Sequence, residues 1–207
     1  MLERNRIPVT LYSESAGNKE SFRSLNGKKT AVIHLATHGF FNEDIERNND
    51  ERMEMGGGQG RQGAGSRAAE NPLLRSGLIL SGANTWARNP VEGAENGILL
   101  ADDVAKMNLL GADLVVLSAC ETALGEVNNS EGVFGLQRAF KLAGAETLIM
   151  SLWKVDDEAT SILISAFYQS WLSGKSKQEA FKEAQRGVRA SPRYSSPFYW
   201  AAFVMMD

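Results

Sequence analysis

Short apolar runs alternating with helix-patterned segments decide what this chain is able to fold into. Ala31-Val-Ile-His-Leu-Ala36, Leu114-Val-Val-Leu117 and Thr147-Leu-Ile-Met-Ser-Leu152 each read as a strand. Between and after them lie segments whose apolar residues recur at helical spacing. Val133, Leu136, Phe140 and Ala143 fall 3-4-3 apart in a helix from Glu131 to Ala143, with Gly144 as its C-cap. A long helix follows Asp156 and Asp157 to about Leu172, with Gly174 ending it. Another opens on Ser176-Lys-Gln-Glu179, a capping box, and turns Phe181, Ala184 and Val188 inward. Strands separated by helices imply an α/β fold: a mostly parallel sheet with helices on both faces.

Weaker elements complete the pattern. Val9-Thr-Leu-Tyr12 reads as a short strand, Asn18–Leu25 as a helix closed by Asn26-Gly27, and Phe198–Val204 as the final strand. Order resumes at Pro72–Leu80 and at Gly97–Leu100, which runs into a short helix with Asp102 and Asp103 in its first turn. The stretch 42–71 differs: polar, glycine-rich and mixed in charge, it has too little apolar content for a core. It is expected to be a mobile loop, cut by proteases before the rest of the domain. The 207 residues suffice for one domain, taken as 1–207.

Composition excludes several function classes. A net charge of −3 gives no basic footprint for nucleic acid. No apolar run approaches the roughly 20 residues a membrane-spanning helix needs. The first residues contain no apolar signal core. One cysteine precludes an internal disulfide, which suits a reducing compartment, and the expected location is cytoplasmic. Two histidines and one cysteine are too few for a convincing zinc site, so no metal is expected. No phosphate-binding glycine motif follows a strand, and no cofactor is expected.

That lone cysteine, Cys120, stands where an apolar strand breaks into small and polar residues, and the Ala31 run continues to His38-Gly39. In a parallel sheet both would finish at one edge. A thiol attacks as its thiolate, and a free thiol titrates only at about 8.5. An imidazole at that edge would take its proton, making Cys120 the nucleophile and His38 the general base. Backbone N–H groups of Gly39 and Cys120 would stabilise the oxyanion. The ordinary reading of a lone cysteine is a small buried core residue. His34, four residues before His38, should share its face and reads as a hydrogen-bonded core histidine. Asp156 and Asp157 read as helix cap and first-turn residues, or as carboxylates lining a pocket for a basic side chain. Trp153 reads as core or pocket wall.

Several segments together resemble the CHAT-domain family of caspase-like, separase-related cysteine peptidases, usually prokaryotic and often joined to tetratricopeptide repeats. They are His34-Leu-Ala-Thr-His-Gly39, Leu117-Ser-Ala-Cys-Glu-Thr-Ala-Leu-Gly125, Glu131–Phe140, Ala143-Gly-Ala145, Ser151–Asp157 and Tyr199-Trp-Ala-Ala-Phe203. The resemblance implies a caspase-like α/β fold and a cysteine endopeptidase acting on protein substrates, with His38 as base and Cys120 as nucleophile. It also implies a pocket shaped by Ser151-Leu-Trp153 in which Asp157, or Asp156, accepts a basic residue. A tetratricopeptide-repeat or other regulatory domain upstream is expected, and no nucleic acid or membrane partner. The family domain usually begins earlier, with a first strand and helix for which this sequence shows no matching pattern, so the expectation is a domain without them. The rival reading is an inactive, peptidase-shaped interaction module.

Overall fold

The computed structural model describes residues 7–41, 71–88, 95–118, 131–154 and 156–207. Residues 42–70 and Cys120 lie outside them, so the expectations for the polar segment and the thiol are not addressed by the fold.

Four strands form the main sheet: β1 (Val32–Leu35), β5 (Leu114–Leu117), β6 (Thr147–Ser151) and β7 (Phe203–Met206), in the order β1-β5-β6-β7. β1, β5 and β6 are parallel, and β7 is antiparallel to β6. β5 and β6 are buried at every position because helices cover both faces. Alternation along β5 divides the core in two. Val115 and Leu117 face α5 (Glu131–Leu142), which contributes Leu136, Ala139 and Phe140. Leu114 and Val116 face α6 (Asp157–Leu172) and α7 (Lys177–Ala190), which contribute Leu163, Phe167, Phe181, Ala184 and Val188.

The helix boundaries follow their sequence signals. Ser176 and Glu179 close a capping box on α7, and Gly144 and Gly174 take the positive φ expected just past a helix end. Asn18 accepts from Ser21 N–H to start α1 (Lys19–Arg23). Asp102 and Asp103 occupy the first turn of α4 (Ala101–Ala105), and Lys19 pairs with Asp103 at 2.8 Å, tying α1 to α4.

Two expectations are corrected. Residues 9–12 form no strand; Val9, Leu11 and Tyr12 are exposed and lead into a 3-10 turn, Glu14–Ala16. Among the described residues no strand pairs with them. The final strand does not begin at Phe198: Pro197–Trp200 is a helical turn, α8, and β7 starts only at Phe203. Ser196 accepts from Phe198 N–H and Pro197 opens the turn, a helix-start chemistry that overrides the strand preference of three aromatics. A second sheet accompanies the main one. β2 (His38–Phe41), β3 (Ser76–Ile79) and β4 (Ile98–Leu100) form a small antiparallel sheet in the order β2-β3-β4. β3 follows a helical turn, α2 (Pro72–Arg75), capped by Asn71, and is separated from β4 by α3 (Ala83–Arg88). Among the described residues no helix is long and apolar enough to cross a membrane.

Candidate active site

The parallel strands leave the sheet at one edge, since Leu35 is level with Leu117 and Leu117 with Met150. Ser118 is the first residue past β5, and its N–H donates to Leu35 O at 3.0 Å, holding the two exits together. In sequence Cys120 follows two residues later.

The structure separates the two histidines. β1 ends at Leu35, and His38 does not finish it; His38 opens β2, opposite Ile79 in the small sheet. Ala36 and Thr37 carry the chain from one sheet to the other, and the Thr37 hydroxyl donates to Ile79 O at the crossing. That crossing breaks the period-2 alternation, so spacing does not put His34 and His38 on a common face. His38 is exposed three residues past the end of β1, and Gly39, buried, is opposite Leu78.

His34 belongs to the main sheet, level with Val116. Its ring lies 5.9 Å from the Tyr168 ring on α6, and its Nε2 lies 3.2 Å from Ser118 Oγ. The Ser118 hydroxyl donates in turn to Leu35 O at 3.4 Å, which leaves an oxygen lone pair for an Nε2–H donor. His34 is hydrogen-bonded as expected but is not a core residue, because β1 is an edge strand and solvent reaches one side of the ring. Protein crowds the other side, and this burial lowers its pKa below the ordinary imidazole value. The Tyr168 hydroxyl is buried without a hydrogen-bond partner among the described residues, and burial raises its pKa above the usual phenol range. Sequence reasoning missed Ser118 and Tyr168; a serine at the exit of an apolar strand was the available signal for the first.

Beyond β6 the edge continues with Trp153, half-buried, whose Nε1–H donates to Phe198 O at 3.0 Å. Asp156 is the N-cap of α6: its carboxylate accepts from Ala159 N–H at 2.9 Å. Asp157, exposed, is the first residue of that helix. Glu158 pairs with Arg193 at 3.0 Å. The capping reading thus holds for Asp156, and Asp157 is the carboxylate not used as the cap.

Across this edge the order is therefore the exit of β1, which leads on to His38, the exit of β5, the exit of β6 with Trp153 and Asp157 after it, then α8 beside the start of β7. A small antiparallel sheet carrying a histidine, set against a parallel sheet whose next strand leads to a cysteine, matches the expected caspase-like α/β layout.

Residues 2–207 match the CHAT domain family. The chain belongs to this family. CHAT domains are related to caspase-like peptidases, which the fold agrees with. Tetratricopeptide repeat protein 28 of Homo sapiens is 38% identical over 109 residues, covering 53% of this chain and 4% of that protein. Its counterpart in Mus musculus is 36% identical over the same shares. The chain thus spans a small part of the length of these relatives. Their names associate this kind of domain with tetratricopeptide repeats. Both are mammalian and give no support to a prokaryotic source.

Proposed function

We propose that this CHAT domain is a cysteine endopeptidase working through a His38–Cys120 dyad. The observation that carries the reading is the position of His38. It stands exposed just past the crossing from β1 to the small sheet, and β1 ends level with β5, whose last residue Leu117 is three residues before Cys120. His38 takes the Cys120 proton, and the thiolate attacks the scissile carbonyl while the Gly39 and Cys120 N–H groups hold the oxyanion. The tetrahedral species collapses to an acyl-enzyme as His38 protonates the leaving amine. Water, deprotonated by His38, then releases the acid product and restores the thiol. Asp157, with Asp156 beside it and Trp153 as wall, favours a basic residue before the scissile bond, because a carboxylate binds a guanidinium through two parallel hydrogen bonds. Residues 1–207 act as one domain, in a reducing, cytoplasmic setting, under a tetratricopeptide-repeat or other regulatory partner.

A peptide-library digest tests the reading. Cys120→Ala and His38→Ala should each abolish cleavage, and the double variant should lose no more than either single one, since the two act as a unit. Asp157→Asn should reduce the preference for arginine or lysine. Full turnover by Cys120→Ala would end the peptidase reading in favour of another chemistry. A chain that cuts nothing, with Cys120 inert to thiol-reactive peptides, would favour the interaction module.

A further inference from the structure

The far end of this edge carries a rigid aromatic platform. β7 is antiparallel to β6, so the chain entering β7 stands beside the chain leaving β6: Ser151 is opposite Phe203, and Leu152 N–H donates to Ala202 O at 2.8 Å. That brings α8 against Trp153. The turn is tethered from several sides. Trp153 Nε1–H holds Phe198 O, and Gln185 Nε2 on α7 donates to both Trp200 O and Phe203 O at 3.1 Å. Trp200 Nε1–H holds Ser195 O at 3.1 Å, with the Arg189 guanidinium 5.5 Å from the Trp200 ring centre. The Phe198 ring meets Tyr199 edge-on at 5.4 Å, yet Phe198 remains 51% exposed. A single exposed apolar residue is ordinary. Its placement is not: a ring fixed by its neighbours, at the same sheet edge as His38, with Trp153 next to it and Asp157 following.

We infer that Phe198 and Trp153 form an apolar subsite for a bulky hydrophobic side chain on the N-terminal side of the scissile bond. The inference rests on the peptidase reading for its polarity. The strand order β1-β5-β6-β7 puts β1, the strand that leads on to His38, on one side of the β5 exit, and the strands that lead to Trp153 and follow Phe198 on the other. The leaving amine must lie near His38 to receive its proton, so the acyl half of the substrate extends the opposite way, over β6 and toward α8. A peptide bound in that direction meets the Asp157 carboxylate and the two aromatic surfaces. The occupant is a segment that combines a basic residue at the cut with a large apolar residue preceding it.

Binding separates this inference from catalysis. Cys120→Ala protein is titrated calorimetrically with N-acetyl hexapeptide amides that carry arginine fourth and two glycines after it, so that a peptide bond follows the arginine, with one leucine or phenylalanine in turn at the three preceding positions of a glycine background. One apolar position should bind about tenfold more tightly than the all-glycine peptide, as expected for part of one large side chain leaving water. Adding Phe198→Ser should erase that difference, and Phe198→Leu should keep most of it. Equal affinities for all peptides, or a preference that survives Phe198→Ser, would overturn the subsite. If the preference depends on Phe198 while the protein with Cys120 cuts none of the peptides, the peptidase reading fails and the subsite stands. If it cuts after arginine with no such preference, the subsite alone fails.

Discussion

His34 and His38 differ by four positions and serve different ends. His34 fastens β1 to the exit of β5 through Ser118, whereas His38 stands in the small sheet and faces solvent. The sequence separated them by position, reading His38 before its glycine as the end of the strand that holds His34, whereas β1 stops at Leu35 and His38 opens a second strand. It misjudged their relative orientation because alternation holds only within a continuous strand, and Ala36-Thr37 switches sheets. The lowered pKa of His34 has a consequence for stability. In the unfolded chain it titrates near 6.5. In the folded protein it resists protonation, so below that pH the unfolded state binds the extra proton and stability falls as pH falls. Urea unfolding between pH 7.5 and 5.5 should show this decline, and His34→Gln, which keeps a donor for Ser118, should show a shallower one. His38 is common to both proteins and cancels. An equal slope in the two would refute the assignment. Cleavage by His34→Gln should persist, in contrast to His38→Ala.

At the scale of elements, the signals that survived were those with a local mechanism. The capping box at Ser176, the glycines after α5 and α6, and the Leu136, Phe140 and Ala143 part of the α5 stripe each act over a few residues and need no distant partner. The expectations that failed depended on partners. Val9–Tyr12 has strand-like residues but no strand paired with it among the described residues, and Phe198–Trp200 has aromatic residues whose backbone is set by Ser196-Pro197 and Trp153 instead. The small sheet was hidden because β2 and β3 are separated by the polar stretch, so their pairing leaves no short-range trace. Near the β3–β4 connection the structure makes a sharp demand. Gly97 has φ +67° and accepts from Leu80 N–H at 2.8 Å, and a Cβ there would lie 2.3 Å from Ala83 N. Gly174 has φ +101° with open space around it. Gly174→Ala should cost only the left-handed conformation, about 1–2 kcal/mol. Gly97→Ala must also displace backbone, and should lose at least about 1 kcal/mol more, of the order that overpacking costs. Denaturant midpoints measure both. Equal losses would mean that the β4 entrance gives way without cost.

The whole molecule is organised around strands that belong to two cores at once. Val115 and Leu117 pack toward α5 while Leu114 and Val116, on the same strand, pack toward α6 and α7; Leu148 and Met150 alternate with Ile149 in the same way on β6. Neither face has a core of its own that survives loss of the other, because removing either helix layer exposes one side of β5 and β6 to water. The two layers should therefore unfold together. The tryptophans allow a direct test, since three of the four, Trp153, Trp171 and Trp200, pack on the α6–α7 face. Phe140 is fully buried on the other face, edge-on to Phe22 at 6.3 Å. Phe140→Ala should cost about 3–5 kcal/mol through lost burial and the cavity left behind. At about 2–4 °C per kcal/mol for a chain of this size, the thermal midpoint should fall by roughly 6–20 °C. The same fall should be seen by tryptophan fluorescence and by far-ultraviolet dichroism, although no tryptophan of that set adjoins the substitution. A fluorescence midpoint that stayed at the parent value while dichroism shifted would show that the α6–α7 layer holds β5 and β6 without its counterpart, and that the shared sheet does not couple the two faces.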